Sequence, residues 1–118
     1  MQKLRLNDHI AKLRSNEKAT REAQELELTE PVHQPVVKLF CPWGSATWLL
    51  SELDEHNVAY GLCDLGFGTP ELGYVSVDEI RGLTHSSGLK IERDIHFEPE
   101  MTITEYAKQA REVGHIAA

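Results

Sequence analysis

The side chains best suited to catalysis are a cysteine, a histidine and several carboxylates in the second half of the chain. Cys63 and His96 could form a nucleophile and its base, because a thiolate nucleophile needs a base within hydrogen-bond reach. Cys63 is, however, in phase with the small apolar residues of its own segment, which predicts a buried and inert thiol. The sequence therefore predicts no catalytic residue, with Cys63 and His96 as the weaker alternative.

Carboxylates near a histidine also raise the question of a metal site of the magnesium or manganese type. The four candidate ligands are Asp64, Glu71, Asp94 and His96. No pair of them has a spacing that is diagnostic of a metal motif. The Gly66-Phe67-Gly68 segment lacks the third glycine of a dinucleotide fingerprint and is interpreted as a turn. We therefore expect no metal and no organic cofactor, and this ligand set is only an alternative.

The charge distribution favours a binding function over a catalytic one. The 118 residues carry a net charge of −7, and no Lys or Arg lies between Lys38 and Arg81. Because nucleic-acid binding requires a basic footprint, residues 31–118 are not expected to bind DNA or RNA. An acidic surface suits a basic partner protein. The alternative interpretation is that these carboxylates form an ordinary solvated surface with no partner. The predicted binding residues are Trp43, Glu52, Asp54, Glu55, Asp64, Glu71 and Arg93.

Two of these binding residues are not acidic. Trp43 stands in a Pro-Trp-Gly turn, where an exposed aromatic side chain can anchor a contact. Arg93 falls on the same side of a predicted strand as the apolar residues, so its charge must be paired or reach water. The favoured interpretation is an ion pair of Arg93 with Asp64 or Glu71. The alternative is a clamp for the carboxylate of a ligand.

The elements that must position these residues are those of an α+β domain with a small antiparallel sheet. Strands are predicted at 36–40, 58–65, 71–76 and 89–97, and helices at 77–81 and 103–113. Both helices begin with the pattern of a capping box, Ser76 to Glu79 and Thr102 to Glu105. Residues 46–53 fit either a helix or a strand, since Leu49 and Leu53 have helical spacing while the segment also alternates.

Residues 1–30 are predicted to form an N-terminal helix and a polar connector, attached to a single domain of residues 31–118. Six basic residues in this arm leave open a third function, a DNA-binding regulator, although six acidic residues offset them. The six are Lys3, Arg5, Lys12, Arg14, Lys18 and Arg21. No apolar run approaches the ~18 residues of a membrane-spanning helix, and no signal peptide is evident. A cytoplasmic protein is expected, in which a disulfide between Cys41 and Cys63 would not form.

Several segments of the chain resemble the bacterial family called domain of unknown function 2958. They are PVVKLF, GSATWLLSELD, GLCDLGFGTPELGYVSVDEI and GLKIERDIHF, followed by a helix around TEYA. The pair LCDLG and PELGY is specific, because no general rule of folding requires it. The loop DEHNVAYG and the turn at Phe40–Trp43 depart from the family's pattern. The family is uncharacterised, so the resemblance implies no site residue; it implies an accessory protein of plasmids, phages and integrated elements, often encoded near antirestriction genes.

These observations lead to one favoured function and one rival. We expect a non-enzymatic accessory protein of a mobile genetic element that binds a basic, nucleic-acid-handling host protein, possible targets being restriction or CRISPR components. The rival is a small hydrolase or nucleotide-modifying enzyme built on the carboxylates and His96. A cavity with converging carboxylates would favour the enzyme, and an acidic outer face would favour the binding protein.

Overall fold

The computed structural model describes residues 6–118, which form three helices and five strands. In chain order these are α1 (Leu6–Glu25), β1 (Val37–Phe40), β2 (Thr47–Leu53), β3 (Val58–Asp64), β4 (Glu71–Ser76), α2 (Val77–Gly82), β5 (Glu92–Arg93) and α3 (Ile103–Val113). The strands form one antiparallel sheet in the order β4-β3-β2-β1-β5. The α+β class predicted from the sequence is confirmed, including the N-terminal helix. Lys3 and Arg5 of the predicted arm lie outside the described residues.

A helix able to cross a membrane would need a long apolar stretch, and none of the helices described between residues 6 and 118 has one.

The ends of α2 and α3 follow from residues close in sequence. The Thr102 hydroxyl accepts a hydrogen bond from the Glu105 N–H, while the Glu105 carboxylate accepts one from the Thr102 N–H, which completes the capping box. Gly114 ends α3 in the left-handed conformation, with φ of 85°. At α2, the Ser76 hydroxyl accepts a hydrogen bond from the Glu79 N–H. Both helix starts are therefore where the sequence places them.

The two faces of the sheet are buried under different helices. One face packs against α1 and α2 through a cluster of Leu13, Val37, Trp48, Leu50, Leu53, Ala59 and Ile80. The other face packs against α3 through Leu49, Leu62, Ile103, Tyr106, Ala107, Ala110 and Ile116. The sheet is thus the middle layer of three, with a separate apolar core on each side.

The segment at residues 46–53, which fitted either a helix or a strand, forms strand β2 with a β-bulge. Leu50 pairs with Gly61 and Glu52 pairs with Tyr60, so Ser51 is an extra residue without a partner. In a regular strand, residues three apart point to opposite faces. The extra residue instead places Leu53 in the same core as Leu50 and on the opposite face of the sheet from Leu49. The segment is a strand, and Leu49 and Leu53, the pair with helical spacing, do not share a face.

The same bulge connects the sheet to α1. Ser51 is buried, and its carbonyl oxygen accepts a hydrogen bond of 3.0 Å from Asn16 Nδ2, which is also buried. A buried carbonyl without a partner would cost free energy, so Asn16 stabilises the bulge and the docking of α1 together. Arg14, on the same helix, donates to the Asp54 carbonyl oxygen at 2.8 Å and to Asn57 Oδ1 at 3.0 Å.

The strand predicted at 89–97 is mostly absent. Only Glu92–Arg93 pairs with β1, and an isolated bridge joins Thr84 to Lys90. After β5 the chain turns, because Asp94 Oδ1 accepts a hydrogen bond from the His96 N–H at 2.9 Å. Ile91 consequently packs in the core under α1, whereas Phe97 packs on the α3 side. The prediction of one apolar strand face over this segment was wrong.

Candidate functional site

The structure separates the cysteine and histidine that the sequence offered as a nucleophile and base. Cys63 lies in β3 and His96 in the turn after β5, and β2 and β1 lie between those two strands. Three strand spacings correspond to about 14 Å, well beyond hydrogen-bond reach. Burial raises the pKa of the Cys63 thiol, which is the opposite of activation.

The four candidate metal ligands are also not assembled. Asp64 is only 3% exposed, and both its oxygens are occupied: Oδ1 accepts from the Gly66 N–H at 2.8 Å and Oδ2 from the Ile116 N–H at 3.0 Å. Asp94 forms an ion pair with Lys38 at 3.7 Å near the opposite edge of the sheet. Within residues 6–118, no group of three or more His, Cys, Asp or Glu side chains is placed to hold a metal ion.

Arg93 has a different partner from the one predicted. Its Nη1 lies 2.7 Å from His9 Nδ1 on α1. Burial and the nearby Arg93 charge lower the pKa of His9, so the neutral imidazole accepts the bond from Arg93. The predicted ion pair with Asp64 or Glu71 was wrong, because β5 joins the sheet at the edge opposite to β4.

Trp43 is half-buried rather than fully exposed. Its ring lies against His85, with ring centroids 5.5 Å apart. A more exposed aromatic side chain is Phe67, in the loop between β3 and β4, which is 82% exposed. Trp43 therefore packs as part of a loop contact with His85.

The five predicted acidic binding residues fall into two groups. Thr47 pairs with Asp64 at one end of the β2–β3 pair, and Leu53 pairs with Ala59 at the other. The acidic group of Glu52, Asp54 and Glu55 is thus about 17 Å along the sheet from the pair of Asp64 and Glu71. This separation exceeds the screening length of ~8 Å in physiological salt, so the five do not act as one charged surface.

Two tyrosines that the sequence analysis missed lie beside Glu52 and Asp54. Tyr60 and Tyr74 are direct partners in the β3–β4 register, and their ring centroids are 5.1 Å apart. Tyr74 is 73% exposed at the edge of the sheet. Alternation from the buried Leu62 and the half-buried Leu72 puts both rings on the α3 side of the sheet. Two tyrosines in facing strands are a cross-strand pair that the predicted hairpin could have revealed.

Carboxylates surround this pair. Glu17, Glu30, Glu52 and Asp54 line the shallow clefts on either side of the two rings. We call these four residues with the two tyrosines the Tyr60–Tyr74 face. Among the described residues that line the clefts, the only cationic side chain other than a histidine is Arg21, and it pairs with Glu17 at 2.9 Å.

The electrostatics of the Tyr60–Tyr74 face are those of a negative surface. Burial raises the pKa of Glu52, which outweighs its hydrogen bond from the Thr20 hydroxyl, and Glu17 and Glu30 raise it further. Burial likewise raises the pKa of Tyr60, with additional contributions from Tyr74, Glu52 and Glu30 that the smaller, opposite effect of Arg111 does not cancel. Burial is the largest cause of both shifts, and the smaller contributions of the carboxylates reflect the negative charge concentrated on this face. The face is therefore suited to a cationic group.

A threonine on α1 holds part of this face in place. Thr20 Oγ1 donates to Glu52 Oε2 and lies 3.0 Å from His33 Nε2. This chain of bonds links α1, β2 and the connector.

Comparison with known proteins identifies a family that the chain matches. A family model described as "Protein of unknown function (DUF2958)" matches residues 4–117. The match spans all eight helices and strands described above. No curated protein and no solved structure matches the chain.

Proposed function

The chain belongs to the DUF2958 family of proteins of unknown function, and we propose that it acts without catalysis, by binding a partner protein that has a basic surface. The observation that carries this proposal is the exposed tyrosine pair of the Tyr60–Tyr74 face, flanked by four carboxylates. The proposed binding surface is the edge of the sheet next to the C-terminal half of α1.

The tyrosine pair supplies the anchor for such a contact. Tyrosine is enriched at protein interfaces and among the few residues that carry most of the binding energy. Tyr74 exposes most of its ring to solvent, and Tyr60 supports it from the neighbouring strand. A partner that covers Tyr74 buries a large amphipathic side chain whose orientation is already restricted by Tyr60.

The carboxylates define the charge of the partner. Four of them and one guanidinium line the clefts of the face, and that guanidinium is already paired. Such a surface attracts a basic protein at long range and increases the rate of encounter, while it repels the phosphates of a nucleic acid.

The family resemblance extends the proposal to a class of partner. If the chain is an accessory factor of a plasmid or phage, its partner is a host protein, and a basic, nucleic-acid-handling factor of restriction or CRISPR type has the required charge. In this version of the proposal, the Tyr60–Tyr74 face occupies a surface of that factor that otherwise binds phosphates.

A capture experiment with matched variants tests the proposal. The full chain is immobilised and exposed to lysate of its host, and the captured proteins are quantified by mass spectrometry. The test variant carries Glu30→Lys and Tyr74→Ala, two exposed positions of the face. The control variant carries Phe67→Ala and Glu71→Lys, an exposed aromatic residue and an exposed carboxylate at the far end of the same hairpin.

We expect a basic protein to be captured by the wild type and by the control variant, and to be lost from the test variant. Its capture should also weaken between ionic strengths of about 50 mM and about 500 mM, because the added salt screens exposed charges. Melting temperatures of both variants check that the fold is intact. Loss of capture by the control variant alone, or equal capture by all three proteins, would contradict the proposal.

A further inference from the structure

A cavity of about 290 Å³ lies on the opposite face of the sheet, between the sheet, α1 and α2. Its walls are mainly aliphatic and include Ile10, Leu13, Leu39, Leu50, Ile80 and Ile91. Protein cores are packed so densely that voids larger than a water molecule are few. The volume is close to the lower end, ~300 Å³, of the range for small-molecule sites. The cavity is thus large enough for a small ligand.

The charged residues of this cavity are all of one sign. Arg14, Arg81 and Arg93 line it, and no carboxylate does. None of the three lies within 4.0 Å of a carboxylate among the described residues, although the chain carries a net charge of −7. A concentration of unneutralised guanidinium groups around an apolar cavity is therefore a local reversal of the charge of the protein.

The structure holds two of these guanidinium groups in position with neutral acceptors. Arg14 donates to the Asp54 carbonyl oxygen and to Asn57 Oδ1, and Arg93 donates to the neutral His9. These contacts orient the side chains and leave their positive charge uncompensated. Arg93 is half-buried, and a partly desolvated cation is stabilised by an anion placed next to it.

We propose that this cavity binds a small amphipathic anion, a monocarboxylate with an aliphatic chain. The chain would replace the apolar contacts that the empty cavity lacks. Arg14 and Arg81 line the cavity and are also exposed to solvent. They therefore mark where the cavity reaches the surface and where the carboxylate would lie. Guanidinium groups match carboxylates in geometry as well as in charge. The site is on the other side of the sheet from Tyr60 and Tyr74, and the proposal does not depend on the Tyr60–Tyr74 face.

Decanoate is a suitable probe, and decan-1-ol is its uncharged counterpart. Isothermal titration calorimetry on the full chain measures the affinity for each. We expect decanoate to bind at least tenfold more tightly than decan-1-ol, which corresponds to one charge-assisted hydrogen bond. Arg14→Gln and Arg81→Gln, at the mouth of the cavity, should each weaken decanoate binding about tenfold for the same reason. The matched control is Arg111→Gln, an exposed arginine on α3 on the other face of the sheet, which should bind like the wild type.

A second variant tests the position of the aliphatic chain. Ile10→Trp places a larger side chain in the cavity and should abolish decanoate binding without lowering the melting temperature. Equal binding of decanoate and decan-1-ol, or equal binding by the wild type and both arginine variants, would overturn the proposal. A failure of the full chain to bind decanoate would also overturn the proposal. The cavity would then be filled by another part of the chain or by a second copy.

Discussion

The replacement of Gly61 by alanine tests how closely β2 and β3 approach each other at the bulge. Gly61 pairs with Leu50, the residue just before the unpaired Ser51. A Cβ atom at Gly61 would overlap the Leu49 carbonyl oxygen and lie 2.9 Å from both Leu49 C and Leu50 Cα. Atoms at these positions belong to the backbone, so no side-chain rotation can make room. The two central strands would have to separate.

The magnitude follows from this obstruction. Overpacking a core costs about 1–3 kcal/mol, and a clash with backbone in the middle of a sheet belongs at the upper end, ~3 kcal/mol. For a chain of this size, each kcal/mol lowers the melting temperature by about 4 °C, so Gly61→Ala should melt about 12 °C below the wild type.

Gly73→Ala is the matched control. Gly73 is the direct partner of Gly61 on β4, and a Cβ atom there would meet no heavy atom within 4 Å. Since glycine in a strand interior is less favourable than alanine, Gly73→Ala should leave stability unchanged or raise it by about 0.5 kcal/mol. Thermal and urea unfolding of both variants are the measurements. Equal stability of Gly61→Ala and Gly73→Ala would refute the close approach of β2 and β3.

The remaining stability predictions concern α1 and two histidines. Asn16→Ala leaves the buried Ser51 carbonyl oxygen without a partner and should lower the free energy of unfolding by about 1–3 kcal/mol. The control Ser15→Ala, at an exposed position, should change it by no more than about 0.5 kcal/mol. Equal midpoints of urea unfolding for the two variants would show that the hydrogen bond contributes nothing to stability. Burial lowers the pKa of His9 and of His33 below 6.5. As the pH decreases through 6.5, the unfolded chain therefore binds more protons than the native protein, and the free energy of unfolding falls. Urea unfolding between pH about 8 and about 5.5 should show a smaller loss for His9→Gln and for His33→Gln than for the wild type, and a loss identical to that of the wild type in both would contradict the pKa shifts.

The sequence was sufficient where structure depends on residues close together in the chain. The capping box of Thr102 and Glu105, the left-handed Gly114 and the hairpin of β3 and β4 all arise from such local interactions, and each was predictable. The apolar stripe of α3 also follows from its own spacing. These features depend on the chain near them and not on the order of the strands.

The sequence was insufficient where a neighbour from another part of the chain decides the outcome. The bulge at Ser51 exists because Gly61 lets the two strands approach and because Asn16 satisfies the free carbonyl group. Alternation alone predicted a long strand at 89–97, but β1 provides partners for only two of its residues, Glu92 and Arg93. These partners lie far from the bulge and from β5 in the sequence, so the pattern of neighbouring residues does not reveal them.

The order of the strands decided which candidate residues meet. Because β5 joins β1 at one edge and β4 forms the other, Arg93 lies beside His9 and not beside Glu71. The same order separates Cys63 from His96 and places Tyr74 at an open edge next to Tyr60. Residue types and spacing determined the elements of this protein. Only the packing of α1 and the strand order determined the surfaces and the cavity that those elements form, since side chains far apart in sequence meet only when the whole sheet is assembled.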